Sequence, residues 1–175
     1  MIRERRFAAA ATLVLALALT TACAPDPAPT PSPTGFASQE EAFAAAEATV
    51  RGYFDASNQV DLADPRTYEA LFALTTGEQN AFDRKRYSEY NAEGLSMRGA
   101  SEVLSVTPVS WDRTEGIAVV DACVDVSSVE ISRRDGSSAI SPDRPDQQSL
   151  EMILHDEKSA FLIESISGGG RESCE

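Results

Sequence analysis

The sequence predicts an α+β domain in which three N-terminal helices pack on a curved antiparallel sheet, a cone-shaped roll. Helical spacing of apolar residues and helix-capping residues occupy positions 38–94, and apolar and polar residues then alternate after Gly94. Helices followed by a run of strands are typical of α+β folds. About 140 residues are available, enough for one core, and we expect a single domain over residues 38–175.

The N-terminus reads as an export signal over residues 1–22. Arginines near the start precede a mainly apolar stretch, Phe7 to Leu19, and the small residues Thr20 to Ala22 lead to Cys23. The 13 residues of the apolar stretch would form a helix of about 20 Å, too short for a hydrocarbon core of about 30 Å. We therefore expect a cleaved signal rather than a permanent span.

Small residues directly before Cys23 resemble the lipobox of bacterial lipoproteins, although Thr20 stands where that motif usually has leucine. The resemblance implies that Cys23 becomes the first residue and carries diacylglycerol and a fatty acid such as palmitate. Two or three chains would anchor the protein stably to the extracytoplasmic face of the cell membrane. The alternative is an ordinary secretory signal that happens to contain a cysteine.

Residues 23–37 read as a disordered stalk between the anchor and the domain. Every second residue from Pro25 to Pro33 is proline, which favours polyproline II and offers little apolar surface to bury. Twelve residues, 24–35, at about 3.1 Å each would reach roughly 37 Å. A proline-rich ligand for a recognition module is the weaker alternative.

The charge balance argues against nucleic-acid partners. Removing residues 1–22 takes away three arginines and Glu4, which leaves 12 basic and 27 acidic residues and a net charge of about −15. Such a chain is repelled by nucleic acid and by anionic lipid headgroups. Acidity of this kind more readily serves solubility than recognition of a cationic partner.

Three helices are predicted from their caps. Ser38 and Glu41 form a capping box for the first helix. Its buried stripe contains Phe43, Ala46, Val50, Tyr53 or Phe54, and Ser57. Asp64 and Pro65 open a short second helix. Thr75 and Glu78 repeat the capping-box spacing for the third, which Gly94 can end.

Five strands are predicted after Gly94. They span 95–98, 102–111, 117–131, 150–155 and 160–167. In the long third strand the even-numbered positions from Ala118 to Val126 are uniformly apolar, so we expect them to face the helices. Asp121, Cys123 and Asp125 should then lie on a solvated outer face, which could also support a homodimer.

Cys123 and Cys174 are the remaining cysteines, and in an exported chain they most simply form a disulfide. Free or intermolecular thiols are the alternative. The chain lacks clustered histidine and cysteine, and we expect neither a metal nor a cofactor. His155, the only histidine, and the basic run Arg84 to Arg86 are expected on solvated surfaces.

The chain resembles the nuclear transport factor two superfamily in the order of its elements. The resemblance also rests on Tyr53 and Phe54 late in the first helix, on the segment 123–127 and on the closing strands around Phe161 to Ile166. The resemblance covers roughly Ser38 to Ser167 and implies a sheet wrapped around helices. A cystatin-like or other α+β roll is the alternative. The superfamily includes enzymes and non-enzymatic binding domains, so fold alone does not choose a function.

The sequence favours a lipid-anchored, non-enzymatic binding or adaptor domain at the cell envelope. Its partner would be an envelope protein or a small apolar ligand. A cone-pocket isomerase or dehydratase, with Tyr53 as a pocket residue, is one alternative. An accessory module for a cell-wall or transport enzyme is the other.

Overall fold

The computed structural model of the chain describes residues 35–158, 160–169 and 174. Its architecture is the predicted α+β arrangement, with helices followed by a curved antiparallel sheet that does not close into a barrel. The predicted export signal, Cys23 and most of the predicted stalk lie outside the described residues. Phe36, two residues before the first helix cap, is 3% exposed and stacks on Phe161 with ring centroids 4.7 Å apart.

The helices of this part of the chain begin near the predicted caps. Helix α1 spans Gln39–Asn58, and the Ser38 side chain accepts a bond from Glu41 N. A 3₁₀ turn, Pro65–Tyr68, capped by Asp64, leads into α2, Glu69–Phe72. Helix α3 spans Gly77–Glu93 and ends at Gly94 in the left-handed conformation that glycine favours.

One cap prediction was wrong. The N-cap of α3 is Thr76, and its side chain makes no capping bond. The Thr75 hydroxyl instead donates to Phe72 O, 3.2 Å away, and lies 2.9 Å from Asn80 Nδ2. The backbone of this loop bonds to the last strand, because Thr76 N donates to Ile163 O and Ile163 N donates to Leu74 O. The loop therefore covers an edge of the sheet that would otherwise be unpaired.

The described strands form two antiparallel sheets. The larger sheet has the order β2 (Glu102–Asp112), β3 (Ile117–Asp125), β5 (Gln147–Asp156) and β6 (Phe161–Gly168). The smaller sheet pairs β1 (Ser96–Arg98) with β4 (Glu130–Ser132).

The predicted strand over 117–131 is thus two strands separated by a turn. Asp125 Oδ1 accepts from Ser127 N, and Val129 N donates to Val126 O, which ends the β3 ladder. The uniformly apolar positions are even-numbered up to Val126 and odd-numbered at Val129 and Ile131, so the alternation changes parity at the two serines between them, a signal that the prediction of one continuous strand did not use. The turn lets β4 leave the main sheet and pair with β1.

The parity of β3 is as predicted on the inner face, the face that packs on the helices. Every even-numbered residue from Ala118 to Val126 is buried, as are Met152 and Leu154 of β5. Side chains from α1 complete this core. At about 25 cal/mol for each Å² of apolar surface removed from water, this packing supplies the main stabilising term of the fold.

The outer face of the sheet, which points away from the helices, differs from the prediction. Asp125 is half-buried and bonded to Ser127, but Asp121 and Cys123 are each only 2% exposed. Cys123 is joined to Cys174 by a disulfide across 51 positions, so the chain at Cys174 lies over this face. Asp121 also lies on β3, which is a central strand of the larger sheet with β2 and β5 as its neighbours. The expectation of a fully solvated outer face is therefore wrong.

Candidate ligand-binding cavity

A cavity of about 280 Å³ opens between α1 and α3 on one side and the small sheet with β5 and β6 on the other. Most of its wall is apolar or aromatic: Tyr53, Phe54, Phe82, Tyr87, Tyr90, Met97, Val129, Ile131, Leu150 and Ile166. Its polar lining is Ser57, Gln79, Arg86, Ser101 and Gln148. An apolar concavity with a few convergent polar groups is the usual form of a small-molecule site.

The fold positions the wall from three directions. Tyr53 and Phe54 come from the last turns of α1, and their rings meet edge to face with centroids 5.3 Å apart. Tyr87 and Tyr90 lie one turn apart on α3, with centroids 6.1 Å apart. The turn that diverts β4 places Val129 and Ile131 opposite the helices, so the break in the predicted strand helps to form the cavity.

A buried carboxylate lies directly behind this wall. Asp83 is 0% exposed. The Tyr53 hydroxyl donates to it, 3.1 Å from Oδ2 and 3.2 Å from Oδ1, and Arg86 Nη2 lies 2.9 Å from Oδ1. Gln79 also bonds to it, one helical turn away. Gln79, Asp83 and Tyr87 recur every fourth residue, which places all three on the inner side of α3.

Burial controls the ionisation of these groups. It raises the pKa of Asp83, and the bonds from Gln79, Arg86 and Tyr53 oppose that shift. It also raises the pKa of Tyr53, and the nearby Asp83 charge adds to the effect. Tyr53 is therefore a neutral donor to Asp83 and neither a base nor a free donor toward the cavity.

Arg86 is the cationic side chain of the cavity wall. Its Cζ lies 5.0 Å from the centroid of Phe82 and 5.4 Å from that of Tyr87, within the range of cation–π attraction. The side chain is one-third exposed. Within the part of the chain that the structure describes, its Nε has no hydrogen-bond partner.

The prediction that Arg84 to Arg86 all lie on a solvated surface was wrong for Arg86. Arg84 and Lys85 are exposed, but Arg86 is three residues after Asp83 and turns back along the helix to pair with it. His155 is half-buried on the outer face, with Nε2 2.8 Å from Glu164 Oε2. It lies outside the cavity wall.

Of the residues that the sequence singled out, Tyr53 lines the cavity, whereas Cys123 and Cys174 form the disulfide outside its wall. Asp83, Arg86 and Gln79 were missed. The spacing of polar residues on α3 could have indicated a buried polar row, but a charged helix residue is normally taken to face solvent. Among residues 35–158, 160–169 and 174, no three metal-binding side chains are grouped to hold an ion.

The lining of the cavity supplies groups that can hold a small molecule. Within the described residues its wall contains no carboxylate and no histidine, since Asp83 is enclosed behind Tyr53, Gln79 and Arg86. A general base must reach the proton that it removes, directly or through one water. The wall offers hydrogen-bond donors, aromatic faces and apolar contact, which hold a molecule without supplying that base.

No family model and no curated protein matches this sequence. Solved structures do match. The intermembrane space region of the chloroplast protein ARC6 has a TM-score of 0.53 at 14% identity, over 71% of this chain and 94% of that chain. A Novosphingobium aromaticivorans protein, provisionally assigned as an aromatic ring hydroxylase, has a TM-score of 0.51 at 12% identity, over 74% of this chain and 94% of that chain. At this identity the matches establish the α+β fold alone.

No helix within the described ranges has both the length and the apolar content needed to cross a bilayer.

Proposed function

We propose that the protein is a bacterial lipoprotein whose domain binds a small, largely apolar molecule at the extracytoplasmic side of the cell membrane. The observation that supports binding is the cavity itself, an apolar and aromatic wall around the single guanidinium of Arg86, with the nearest carboxylate enclosed behind it. The volume of about 280 Å³ fits a fragment-sized ligand.

A neutral fluorescent probe tests the binding proposal. N-phenyl-1-naphthylamine should brighten when the full chain is added, because the probe leaves water for an apolar site. Ile131→Trp places a bulky ring in the cavity wall and should abolish the signal. Leu104→Trp, at an exposed position outside that wall, is the matched control and should preserve it. An equal signal from both variants would contradict the proposal.

The anchor is supported by the sequence around Cys23. Mass spectrometry of the mature N-terminus from cells should find acylated Cys23. Cys23→Ser should release the protein from the membrane fraction, whereas Thr20→Leu, which restores the usual motif, should retain it. An unmodified chain that begins elsewhere would refute the anchor and leave the cavity proposal standing.

A cone-pocket isomerase or dehydratase is the second candidate, favoured by the bond between Tyr53 and Asp83 next to the cavity. Turnover that Asp83→Asn abolishes while binding of the neutral probe persists would favour this enzyme.

Protein partners form a separate possibility at the envelope. The domain could instead assist a cell-wall or transport enzyme, which crosslinking in intact cells would detect. A homodimer through the outer face would use Val119 and Ile153, which pair across β3 and β5 and are half-buried. Val119→Lys would then lower the mass found by sedimentation equilibrium.

A further inference from the structure

The charge of the cavity is set by one pair of residues, Arg86 on the wall and Asp83 behind it. Arg86 is the only charged residue in the described lining. Its guanidinium is already bonded to the Asp83 carboxylate at 2.9 Å, and that carboxylate is fully enclosed. The pair therefore presents N–H donors to the cavity while its net charge is close to zero.

A pair with a net charge close to zero should bind uncharged ligands more tightly than anionic ones. A ligand carboxylate beside Arg86 would be a second negative charge sharing one guanidinium with Asp83, in a site partly removed from water. Like charges in such a site repel each other, and a buried ion without its own counter-ion is costly. The formal net charge of the chain, −13, adds to the repulsion of anions.

An uncharged ligand with a hydrogen-bond acceptor avoids this electrostatic repulsion from Asp83. Asp83 takes one Nη of Arg86, and a guanidinium has five N–H donors. A carbonyl or similar oxygen can accept from the donors that remain toward the cavity. Phe54, Phe82 and Tyr90 supply aromatic surfaces around that position, which suit the flat face of a planar molecule.

We propose that the cavity selects an uncharged, planar and largely apolar molecule whose acceptor oxygen bonds to Arg86, and that Asp83 is the internal counter-ion that rejects the corresponding carboxylate. This inference rests on the proposed ligand-binding function and names the chemical class of its ligand. Asp83 acts through Arg86 and is a positioning residue.

Matched naphthalene compounds provide the test. Binding of 2-acetonaphthone, 2-naphthoate and 2-ethylnaphthalene to the full chain is measured by calorimetry at pH 7. The ketone should bind at least about tenfold more tightly than the carboxylate, because only the carboxylate adds a charge. It should also bind more tightly than the hydrocarbon, which has no acceptor oxygen.

Two variants separate the roles of the pair. Asp83→Asn keeps an acceptor for Tyr53 and Arg86 but removes the negative charge, so the ratio of carboxylate to ketone affinity should rise at least about tenfold. Asp55→Asn removes an exposed carboxylate outside the cavity wall and should leave the ratio unchanged. Arg86→Met should abolish the preference for the ketone over the hydrocarbon, and it provides a second test should Asp83→Asn fail to fold.

The outcomes distinguish this inference from the function on which it rests. If N-phenyl-1-naphthylamine and all three compounds fail to bind, the ligand-binding function itself is wrong. If the neutral probe binds but the wild-type chain prefers 2-naphthoate, or if Asp83→Asn leaves the ratio unchanged, only the charge-selection proposal is overturned.

Discussion

The hydroxyl group of Tyr53 lies 3.1 Å from Oδ2 of Asp83, and this bond joins α1 to α3 inside the fold. Both side chains are buried, Tyr53 to 4% and Asp83 to 0% exposure. Neither group can exchange its partner for water without local opening. The bond therefore contributes to the packing of the two helices that carry much of the cavity wall.

Tyr53→Phe should lower the free energy of unfolding by about 1–3 kcal/mol, because Asp83 loses one of its donors while it stays buried. Urea unfolding followed by circular dichroism measures the change. Tyr90→Phe is the control, since Tyr90 is half-buried and is held through ring contacts with Tyr87. An equal decrease in the free energy of unfolding in the two variants would show that the Tyr53 hydroxyl stabilises the fold no more than the Tyr90 hydroxyl does.

Alkaline pH should destabilise the protein through its tyrosines. Burial is the main cause that raises the pKa of Tyr53, Tyr68 and Tyr87 above the usual value of 10.0. A group whose folded pKa is raised stabilises the fold fully below its unfolded pKa and loses that contribution as pH rises through the folded pKa.

The free energy of unfolding should consequently fall above about pH 10. Absorbance at 295 nm should show these three phenols ionising later in the native chain than in urea. Tyrosine titration curves that coincide in native and unfolded protein would contradict the burial of these side chains.

Gly99→Ala should be strongly destabilising. Gly99 has φ +77°, and an added Cβ would lie 1.8 Å from the carbonyl oxygen of Ser128, in the turn that diverts β4. Gly136 is the matched control, because its φ is +84° but an added Cβ would meet nothing within 4 Å.

Gly136→Ala should cost about 1 kcal/mol for the left-handed backbone alone, and Gly99→Ala should cost at least about 2 kcal/mol more. Thermal melts of the two variants, side by side, measure the difference. Similar melting temperatures would show that β1 and the Ser128 turn can separate without penalty.

Loss of the disulfide should weaken the fold without abolishing it. The chain-entropy model gives at most about 4 kcal/mol for a loop of 51 residues, and the large apolar core remains. The Cys123→Ala, Cys174→Ala double variant should unfold at lower urea than wild type. Cys23→Ala removes the remaining cysteine and should leave the midpoint unchanged.

The order of the helices and strands could be predicted from the sequence because it depends on local periodicity and caps. Ser38 and Gly94 act through bonds within a few residues, and the even positions of β3 are uniformly apolar. Such signals require no knowledge of distant contacts.

The polar part of the site could not be predicted in this way. Asp83 is buried because Tyr53, thirty residues earlier, and Arg86 both bond to it, and the pairing with Tyr53 exists only once α1 packs on α3. The burial of Asp121 was missed for a related reason. It depends on the neighbouring strands and on a sheet face that the distant Cys174 approaches. Long-range contacts decided each of these cases.

The stack of Phe36 on Phe161 has a mechanical consequence for a tethered protein. If the N-terminal segment is held at a membrane, a pull on the domain reaches the fold near Phe36. The load then passes directly to β6, whose Ile163 is bonded to the loop before α3. The force would act on an aromatic contact held by the sheet before it acted on the first turn of α1. The stack can therefore protect from unfolding the helix that contributes Tyr53 and Phe54 to the cavity wall.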